Sequence, residues 1–355
     1  MTRPNHSTGT APWLRARELL EKGRALLTLA AREPPIAPTP HDVVYQANRI
    51  RLLRYRLPDG ATRRAGAPLV MVPSLINRYY ILDLMPGRSL VEHLTAAGHD
   101  VYMIDWGRPG PEDRYTSLDE YLAGHLDRAV RRAAQLAGAR RASLLGYCMG
   151  GTFAAIYAAL RPGRVQTLIA LAAPIDFSQA GLLGLWSAAR YLDADRLVDS
   201  LGNIPWPLLQ ATFHMLVPTL TAQKLLYLYD KVGDAGFADN FLSLETWGND
   251  NVSFPGECFR RYIKDLYQQN LLCRGGLHIA GTTIELARIR CPVLNVVAQG
   301  DHIVPEPSAT PLTSLVGSSD SALWRRPGGH IGAIVSRTAA RELWPALGGW
   351  LGERS

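Results

Sequence analysis

The strongest constraint on this chain is a cysteine flanked by glycines where a predicted strand meets a predicted helix. An apolar strand at 142–146 leads into Gly146-Tyr147-Cys148-Met149-Gly150-Gly151, and residues 151–161 suit a helix. A tight strand-to-helix turn has almost no room for side chains two positions before and after its central residue. The spacing predicts that Cys148 projects from the end of a strand as a nucleophile. Taken alone, the motif also fits a small buried cysteine in a glycine-rich turn.

The rest of the chain alternates between strand-like and helix-like segments. Alternating β-branched and basic residues at 43–57 predict two strands at a sheet edge. Ser117 and Glu120 predict a capping box at the start of one helix. Such alternation is typical of an α/β domain whose mostly parallel sheet has helices on both faces. The remaining predicted elements are strands 68–72, 99–105, 142–146, 165–172, 292–298 and 321–325, and helices 88–97, 118–137 and 151–161.

The alternation lapses between residues 175 and 280, which are rich in Leu, Trp and Tyr. We expect residues 40–174 and 281–355 to form the two parts of one core, with 175–280 inserted as a helical cap. The apolar clusters at 182–186 and 225–229 are expected to be ordinary core, with a partner surface as the alternative.

Residues 1–39 are predicted to form a separate basic N-terminal extension. Its residues 13–32 have the apolar stripe of an amphipathic helix, formed by Leu19, Leu20, Leu26, Leu27 and Ala30. The chain has a net charge of +7, and residues 1–66 hold 12 basic and 5 acidic side chains, against 26 of each in the other 289 residues. The excess is therefore expected on the extension. The excess basic charge is accompanied neither by a basic stripe with aromatic side chains for base stacking nor by a known nucleic-acid-binding module. Nothing therefore favours nucleic-acid binding.

The cysteines and the apolar runs exclude several other classes of protein. Cys148, Cys258, Cys273 and Cys291 form neither a Cys-x-x-Cys pair nor a zinc-ligand spacing. We expect no disulfide framework, no metal and no bound cofactor. The N-terminus lacks the apolar stretch of a signal peptide, and no run is long enough for a membrane span. The predicted location is the cytoplasm.

Two residues after late strands are candidates to complete a site around Cys148. Asp301 follows strand 292–298, and His330 follows strand 321–325 in a glycine-rich loop. The order nucleophile, acid, histidine is that of the α/β-hydrolase fold. We expect His330 to act as the general base, and Asp301 either to orient His330 or to activate a substrate hydroxyl.

The same fold requires an oxyanion hole made of two backbone amides. Met149, directly after the nucleophile, is expected to provide one, and Leu75, in the loop after strand 68–72, the other. The helix that starts beside Cys148 favours its thiolate form. Asp105 precedes the nucleophile in the chain and is expected to be structural.

Six motifs occur together between about residue 40 and the C-terminus, at 77–84, 104–107, 146–151, 261–270, 300–305 and 329–332. In combination they resemble the catalytic subunit of polyhydroxyalkanoate synthases, and most closely the short two-subunit form called class III. Residues 1–39 match no pattern of that family.

The resemblance implies polymerisation of (R)-3-hydroxyacyl-coenzyme A, usually 3-hydroxybutyryl-coenzyme A, into a polyester with release of coenzyme A. Position by position, Cys148 matches the family's nucleophile, Asp301 its acid and His330 its base. A thiol suits this reaction because exchange between thioesters keeps the acyl group activated for transfer to a hydroxyl. The family also implies a second synthase subunit, a homodimer or hetero-oligomer, and association with polyester granules. The basic extension is then expected to bind an acidic partner subunit or the granule surface.

Two alternatives stay open at this point. A cysteine-dependent hydrolase of thioesters or lactones needs the same three residues, and differs in whether the cap excludes water. A non-catalytic, granule-associated scaffold is the third possibility, and the intact set of Cys148, Asp301 and His330 argues against it.

Overall fold

The computed structural model describes residues 12–30 and 32–354. Its strands are β1 (His41–Ala47), β2 (Ile50–Tyr55), β3 (Leu69–Val72), β4 (Val101–Asp105), β5 (Ala142–Tyr147), β6 (Val165–Leu171), β7 (His278–Ile279), β8 (Thr282–Thr283), β9 (Val293–Ala298) and β10 (Ser321–Arg326). Eight of them form one sheet in the order β1-β2-β4-β3-β5-β6-β9-β10, while β7 and β8 pair separately. The predicted strands are present, with ends that differ by no more than two residues.

The large sheet is mostly parallel, as predicted. Pairs from β4 to β10 are parallel, and only β1–β2 and β2–β4 are antiparallel. Every residue of β3, β4, β5 and β9 is buried. Strands buried on both faces need apolar side chains on both faces, which explains why these strands are mostly apolar.

The helices are α1 (Pro12–Ala30), α2 (Leu90–Ala96), α3 (Asp127–Leu136), α4 (Met149–Leu160), α5 (Gly181–Ser187), α6 (Ala194–Leu201), α7 (Trp206–Leu216), α8 (Leu220–Lys231), α9 (Ala235–Asn249), α10 (Gly256–Arg261), α11 (Leu271–Arg274), α12 (Glu306–Ala309), α13 (Leu312–Leu315), α14 (Gly332–Val335) and α15 (Trp344–Gly352). Two apolar cores cover opposite faces of the sheet, since consecutive residues Leu144 and Leu145 of β5 belong to different cores. Within the part of the chain that is described, no helix is long and apolar enough to cross a bilayer.

The helix predicted at 118–137 begins at Leu118 and contains a π-helical stretch, Glu120–Leu126, before α3. The Ser117 hydroxyl accepts a hydrogen bond of 3.2 Å from the Glu120 amide. The Glu120 carboxylate lies 3.7 Å from Nε2 of His125. Among the described hydrogen bonds there is none in which the Ser117 amide donates to the Glu120 carboxylate. Only half of the predicted capping box therefore forms.

The segment between β6 and β7 is mostly helical and contains α5 to α11, where the sequence predicts an inserted cap. Its helix α9 is tied to the loop after β3. Trp247 Nε1 donates to the carbonyl oxygen of Arg78 over 2.8 Å, and the Tyr80 hydroxyl donates to Asp250 over 2.8 Å. The division of the chain into extension, core, cap and core stays a prediction.

The expectation that the clusters at 182–186 and 225–229 are ordinary core is wrong for most of their side chains. Leu226 is 71% exposed, and Leu182, Leu185, Leu225, Tyr227 and Tyr229 are also exposed, whereas Leu228 is 9% exposed. Only one side of α8 therefore packs on the protein. Its other side is an apolar face open to solvent.

Helix α1 packs on that buried side of α8 and on α9. Leu29, 6% exposed, shares a cluster with Leu228 of α8 and with Val232, which directly follows α8. Arg32 pairs with Asp239 of α9 over 3.0 Å. Helix α1 therefore packs on the helical segment, whereas Ile36 and Ala37, later in the extension, pack against the core on one face of the sheet.

Most of the apolar stripe predicted for this helix is exposed to solvent. Leu19, Leu20 and Leu27 are exposed, and Leu27 is 75% exposed, whereas the packed face consists of Ala25, Leu26 and Leu29. Residues 1–11 of the extension and the side chain of Ala30 lie outside the described residues. The helix lies where the sequence predicts it, and of its predicted apolar stripe Leu26 packs on the protein while Leu19, Leu20 and Leu27 are exposed.

The expectation that the excess charge lies on the extension also needs correction. Arg51 pairs with Asp105 over 2.6 Å, and Arg54 pairs with Asp100 over 3.0 Å. Three other arginines also pair with carboxylates. They lie directly before β2, directly after it and in the following loop, and are Arg49, Arg56 and Arg63. Much of the basic charge of residues 1–66 is thus balanced by carboxylates, most of them farther along the chain.

The docking of α1 can be tested with one matched pair of variants. Leu29→Asp puts a carboxylate against Leu228 and Val232, and the cost of burying it should release α1. We expect amide hydrogen exchange in residues 12–30 to rise by about tenfold or more. Leu27→Asp makes the same chemical change at an exposed position and should leave exchange unchanged. Equal effects of the two substitutions would contradict the docked arrangement.

Candidate active site

The turn between β5 and α4 holds Cys148 in a conformation that few residues adopt. Its φ and ψ are +56° and −129°, outside the regions that non-glycine residues favour. The Cys148 amide donates to the carbonyl oxygen of Leu171 in β6 over 2.9 Å, which anchors the turn to the sheet. The half-buried side chain lies at the carboxyl end of the sheet.

The glycines around Cys148 are needed for the reason that the sequence indicates. A β-carbon on Gly146 would collide with the backbone of Gly150 and Gly151. One on Gly150 would collide with the carbonyl oxygens of Val72 and Pro73. Because neither has a side chain, α4 starts directly against the ends of β3 and β5.

Asp301 and His330 are brought together by two adjacent parallel strands. The loops after β9 and β10 are joined by a hydrogen bond of 2.9 Å from the Gly300 amide to the carbonyl oxygen of Gly328. His330 Nδ1 lies 2.6 Å from Asp301 Oδ2. The other carboxylate oxygen, Oδ1, accepts hydrogen bonds of 2.8 Å from the amides of Ile303 and Val304. Both oxygens of the buried Asp301 side chain are therefore occupied.

Tyr147, the residue before the cysteine, supports the histidine, and sequence reasoning assigned it no role. Its ring stacks on the His330 ring with centroids 5.2 Å apart and planes inclined by 30°. Its hydroxyl donates to the carbonyl oxygen of His330 over 3.3 Å. Its place next to Cys148 in the chain was the only available signal.

His330 and Cys148 form a hydrogen-bonded, electrostatically coupled pair. Burial by itself lowers the pKa of His330. The negative charge of Cys148, together with hydrogen bonds to Asp301 and Cys148, outweighs burial and raises that pKa from 6.5 to about 10. At neutral pH the His330 ring is therefore mainly protonated, and its positive charge lies beside the sulfur of Cys148.

The two amides predicted for an oxyanion hole lie on neighbouring segments. Met149 is the first residue of α4, and the buried Leu75 follows β3, whose end packs against Gly150. Within the described residues, neither the Met149 nor the Leu75 amide donates to a protein acceptor. Both donors are thus available for a ligand, and their role stays a prediction.

Aromatic side chains from the predicted cap and its border cover Cys148. Tyr262 and Tyr267 are close enough for the charge of Cys148 to act on them, since burial and that charge both raise the pKa of each phenol. Phe177 packs edge-on against both rings, at centroid distances of 5.8 and 4.9 Å. The motif at 261–270 contains both tyrosines, but its spacing alone did not predict that they lie near Cys148.

Asp105 is structural, as predicted. It is buried at the end of β4 and accepts hydrogen bonds from Arg51, from Arg78 over 3.3 Å and from the Gly107 amide over 3.0 Å. It therefore joins β2 to the loop after β3. That loop carries Leu75.

Two other features of the surface do not compete with this site. A groove of about 550 Å³ borders α12, α13 and β10, but its one charged side chain, Glu306, is paired with Arg325 over 2.5 Å. None of Cys148, Asp301 and His330 lines it. Across the described residues, no three His, Cys, Asp or Glu side chains are grouped so as to hold a metal ion.

Two family models match the chain. One, described as the alpha/beta hydrolase fold, matches residues 67–334. The other, described as the N-terminus of poly-beta-hydroxybutyrate polymerase (PhaC), matches residues 33–94. The first covers most of the chain and includes Cys148, Asp301 and His330.

Individual proteins give a consistent result. The chain is 41% identical over 318 residues to the poly(3-hydroxyalkanoate) polymerase subunit PhaC of Allochromatium vinosum, and the match covers 89% of each protein. It is 40% identical over 323 residues to the protein of that name from a Synechocystis strain, covering 89% of this chain and 85% of the relative. A monoacylglycerol lipase structure from Paleococcus ferrophilus superposes with a TM-score of 0.52 at 18% identity, covering 83% of this chain and 97% of the lipase. This last likeness shows the fold alone.

The raised pKa of His330 predicts a specific pH dependence. Because the folded pKa lies above the unfolded value, protonated His330 contributes stability that is complete below pH 6.5 and is lost as the pH rises to about 10. Cys148→Ala removes the charge that raises this pKa, so the pKa should fall markedly. Nuclear magnetic resonance of labelled histidine measures it directly. Cys273→Ala is the control and should leave the titration unchanged; equal pKa values in the Cys148→Ala and unmodified proteins would contradict the coupling.

Proposed function

This chain belongs to the PhaC family of poly(3-hydroxyalkanoate) polymerases, and we propose that it joins (R)-3-hydroxyacyl units from coenzyme A thioesters through a covalent thioester on Cys148. The reaction is an acyl transfer, so the protein is an acyltransferase. The observation that carries the mechanism is the connected set of Asp301, His330 and Cys148 at the carboxyl end of the sheet.

In the first step the Cys148 thiolate attacks the carbonyl carbon of the substrate thioester. The bond from that carbon to the coenzyme A sulfur breaks, and His330 gives its proton to the leaving thiolate. The products are an acyl thioester on Cys148, free coenzyme A and a neutral imidazole. The raised pKa of His330 supports this starting state, because the proton to be delivered is already on the ring at neutral pH.

In the second step neutral His330 takes the proton from the 3-hydroxyl of the next hydroxyacyl-coenzyme A. The hydroxyl oxygen attacks the acyl carbon, an ester forms, and the bond to Cys148 breaks to restore the thiolate and the imidazolium. The lengthened chain is still a coenzyme A thioester and can acylate Cys148 again. Each cycle therefore makes one ester bond and releases one coenzyme A.

Asp301 is proposed to orient His330 and stabilise its charge. One carboxylate oxygen holds His330 Nδ1 and the other accepts two backbone amides, which supports this role over direct activation of a hydroxyl. The Met149 and Leu75 amides are proposed to bind the oxygen that becomes negative in each step, because neither is used by the protein.

The cover of Phe177, Tyr262 and Tyr267 supports a polymerase over a hydrolase. A hydrolase must admit water to the acyl-enzyme, whereas a polymerase must keep water out and admit a hydroxyl. Three aromatic rings packed beside a half-buried cysteine favour exclusion of water. We propose a short acyl chain such as 3-hydroxybutyryl, as the resemblance to the family implies, and residues 175–280 are proposed to act as the cap that moves to admit it.

The exposed apolar side chains of α1 and α8 are proposed to bind the second subunit of a class III polymerase. We call Leu19, Leu20, Leu27, Leu225, Leu226 and Tyr227 the α1–α8 surface. The two helices are in contact, and these six large side chains are all exposed. Such a face on a soluble domain usually marks an interaction site. Both relatives are named as polymerase subunits. Association with polyester granules through the complex follows from the proposed product.

The polymerase activity is tested by supplying (R)-3-hydroxybutyryl-coenzyme A to the protein, with and without the second subunit. We expect thiol release together with insoluble polymer. Cys148→Ala should abolish both, and His330→Gln should lower the rate by about 10²–10⁴, since the general base is lost. Cys273→Ala is the matched control and should keep normal activity.

Two results would refute this assignment. Thiol release that yields only free hydroxybutyrate would establish the hydrolase instead. Near-normal turnover by Cys148→Ala or His330→Gln would show that another residue carries the chemistry.

The α1–α8 surface is tested by Leu20→Gln and Leu226→Gln, which remove apolar area and keep good helix-forming residues. We expect both to weaken co-purification of the second subunit and leave alkylation of Cys148 unchanged. Leu201→Gln changes an exposed leucine elsewhere and should bind normally. Unaltered co-purification would refute the surface as the subunit interface; loss only of self-association or of granule binding would reassign it to a second copy or to the granule. Point variants are preferable to deleting residues 1–39, because Thr39 is hydrogen-bonded to the buried Asp83.

A further inference from the structure

Arg88 and Arg337 form a pair of like charges next to the loop that carries His330. Arg88, half-buried in the loop before α2, donates from Nη1 to the carbonyl oxygen of Val335 over 3.4 Å. Arg337 is exposed and lies two residues after Val335, just beyond α14. Burial and the charge of Arg337 both lower the pKa of Arg88. Because Arg88 reaches the carbonyl of Val335, two residues before Arg337, the two like charges lie on adjoining segments.

The carboxylates on the neighbouring segments already have hydrogen-bond partners. Asp83 accepts the hydroxyls of Thr39 and Ser89 over 2.7 and 2.6 Å. Glu92 accepts the Gly87 amide over 2.9 Å, and Asp234 caps α9. Within the described ranges, neither Arg88 nor Arg337 makes an ion pair with a carboxylate. A half-buried cation whose only polar partner is one carbonyl is unfavourable unless an anion joins it.

The pair lies between the histidine loop and helix α9. Helix α14, which accepts the Arg88 hydrogen bond, starts two residues after His330. On the other side, Arg337 Nη2 stands 3.4 Å from the place that a β-carbon on Gly236 would occupy, in the first turn of α9. Ile331 packs in the same apolar core as Trp247 of α9. An anion held here would lie at the seam between α9 and the active site.

We propose that Arg88 and Arg337 bind a phosphate group of the coenzyme A portion of the substrate. The inference rests on the proposed use of acyl-coenzyme A. Guanidinium groups match phosphate oxygens in charge and geometry, and two of them on one phosphate remove their mutual repulsion. The long pantetheine arm would then run from this seam to the thioester at Cys148. Both the 3′-phosphate and the pyrophosphate of coenzyme A present this chemistry.

The kinetic test uses the full chain with its second subunit. For Arg337→Ala and Arg88→Ala we expect KM for (R)-3-hydroxybutyryl-coenzyme A to rise about tenfold, with kcat changed by less than about twofold. With (R)-3-hydroxybutyryl-pantetheine, which has no phosphate, the same variants should match the unmodified protein. Arg341→Ala removes an exposed arginine that pairs with Glu342 and serves as the control. Because Arg337 is exposed, its variant tests the site without disturbing the core.

A binding measurement separates this inference from the proposed function. Calorimetry with free coenzyme A and dephospho-coenzyme A needs no turnover. Weaker binding of coenzyme A alone in the arginine variants assigns the 3′-phosphate, and weaker binding of both ligands assigns the pyrophosphate. Unchanged affinity and KM, or equal losses in Arg341→Ala or with the pantetheine substrate, would overturn the site. Absence of polymer from the unmodified protein would refute the polymerase, while the calorimetric comparison would still decide the arginine site.

Discussion

The start of α4 packs against the carboxyl ends of β3 and β5 at a distance that only glycine allows, and the site depends on this contact. Gly146 and Gly150 leave no side chain between these backbones. The close approach puts the start of α4, with its unused Met149 amide, against Pro73 at the beginning of the loop that carries Leu75. The strained φ of Cys148 is tolerated because the sheet holds the turn on both sides. A larger residue at either glycine would separate the nucleophile from its proposed oxyanion donors.

Around that turn, a buried electrostatic network sets the reactivity. His330 is fixed by Asp301 at one ring nitrogen and by the stacked Tyr147 on its face, and it is coupled to Cys148. Because burial alone would deprotonate the imidazole, its raised pKa depends on the neighbouring negative charge. The proton on the His330 ring and the Cys148 sulfur therefore lie next to each other. Tyr262 and Tyr267 lie close enough to Cys148 for its charge to act on them, and Phe177 packs against both rings.

The N-terminal part of the chain has two physical roles. The two arginines of β2, Arg51 and Arg54, balance Asp105 and Asp100, so they are part of the core's electrostatics. Helix α1 instead adds to the helical segment, where its Leu29 packs beside Leu228 of α8 and its Leu19, Leu20 and Leu27 are exposed. A net charge counted along the chain cannot distinguish these roles, because the balancing acids lie far away in sequence.

The sequence by itself determined the strands, the glycines around Cys148 and the order of Cys148, Asp301 and His330. These follow from local periodicity and from the steric demands of one turn. The sequence also predicted the position of α1, but not which of its leucines pack. Leu27 and Leu29 are the same residue type in one helix, and only their neighbours differ. The support of His330 by Tyr147, the aromatic cover of Cys148 and the meeting of Arg88 with Arg337 were decided only by the tertiary structure. These groups come from separate loops and strands. Their distances depend on how the whole sheet, α9 and the last helices pack, and no local pattern encodes that packing.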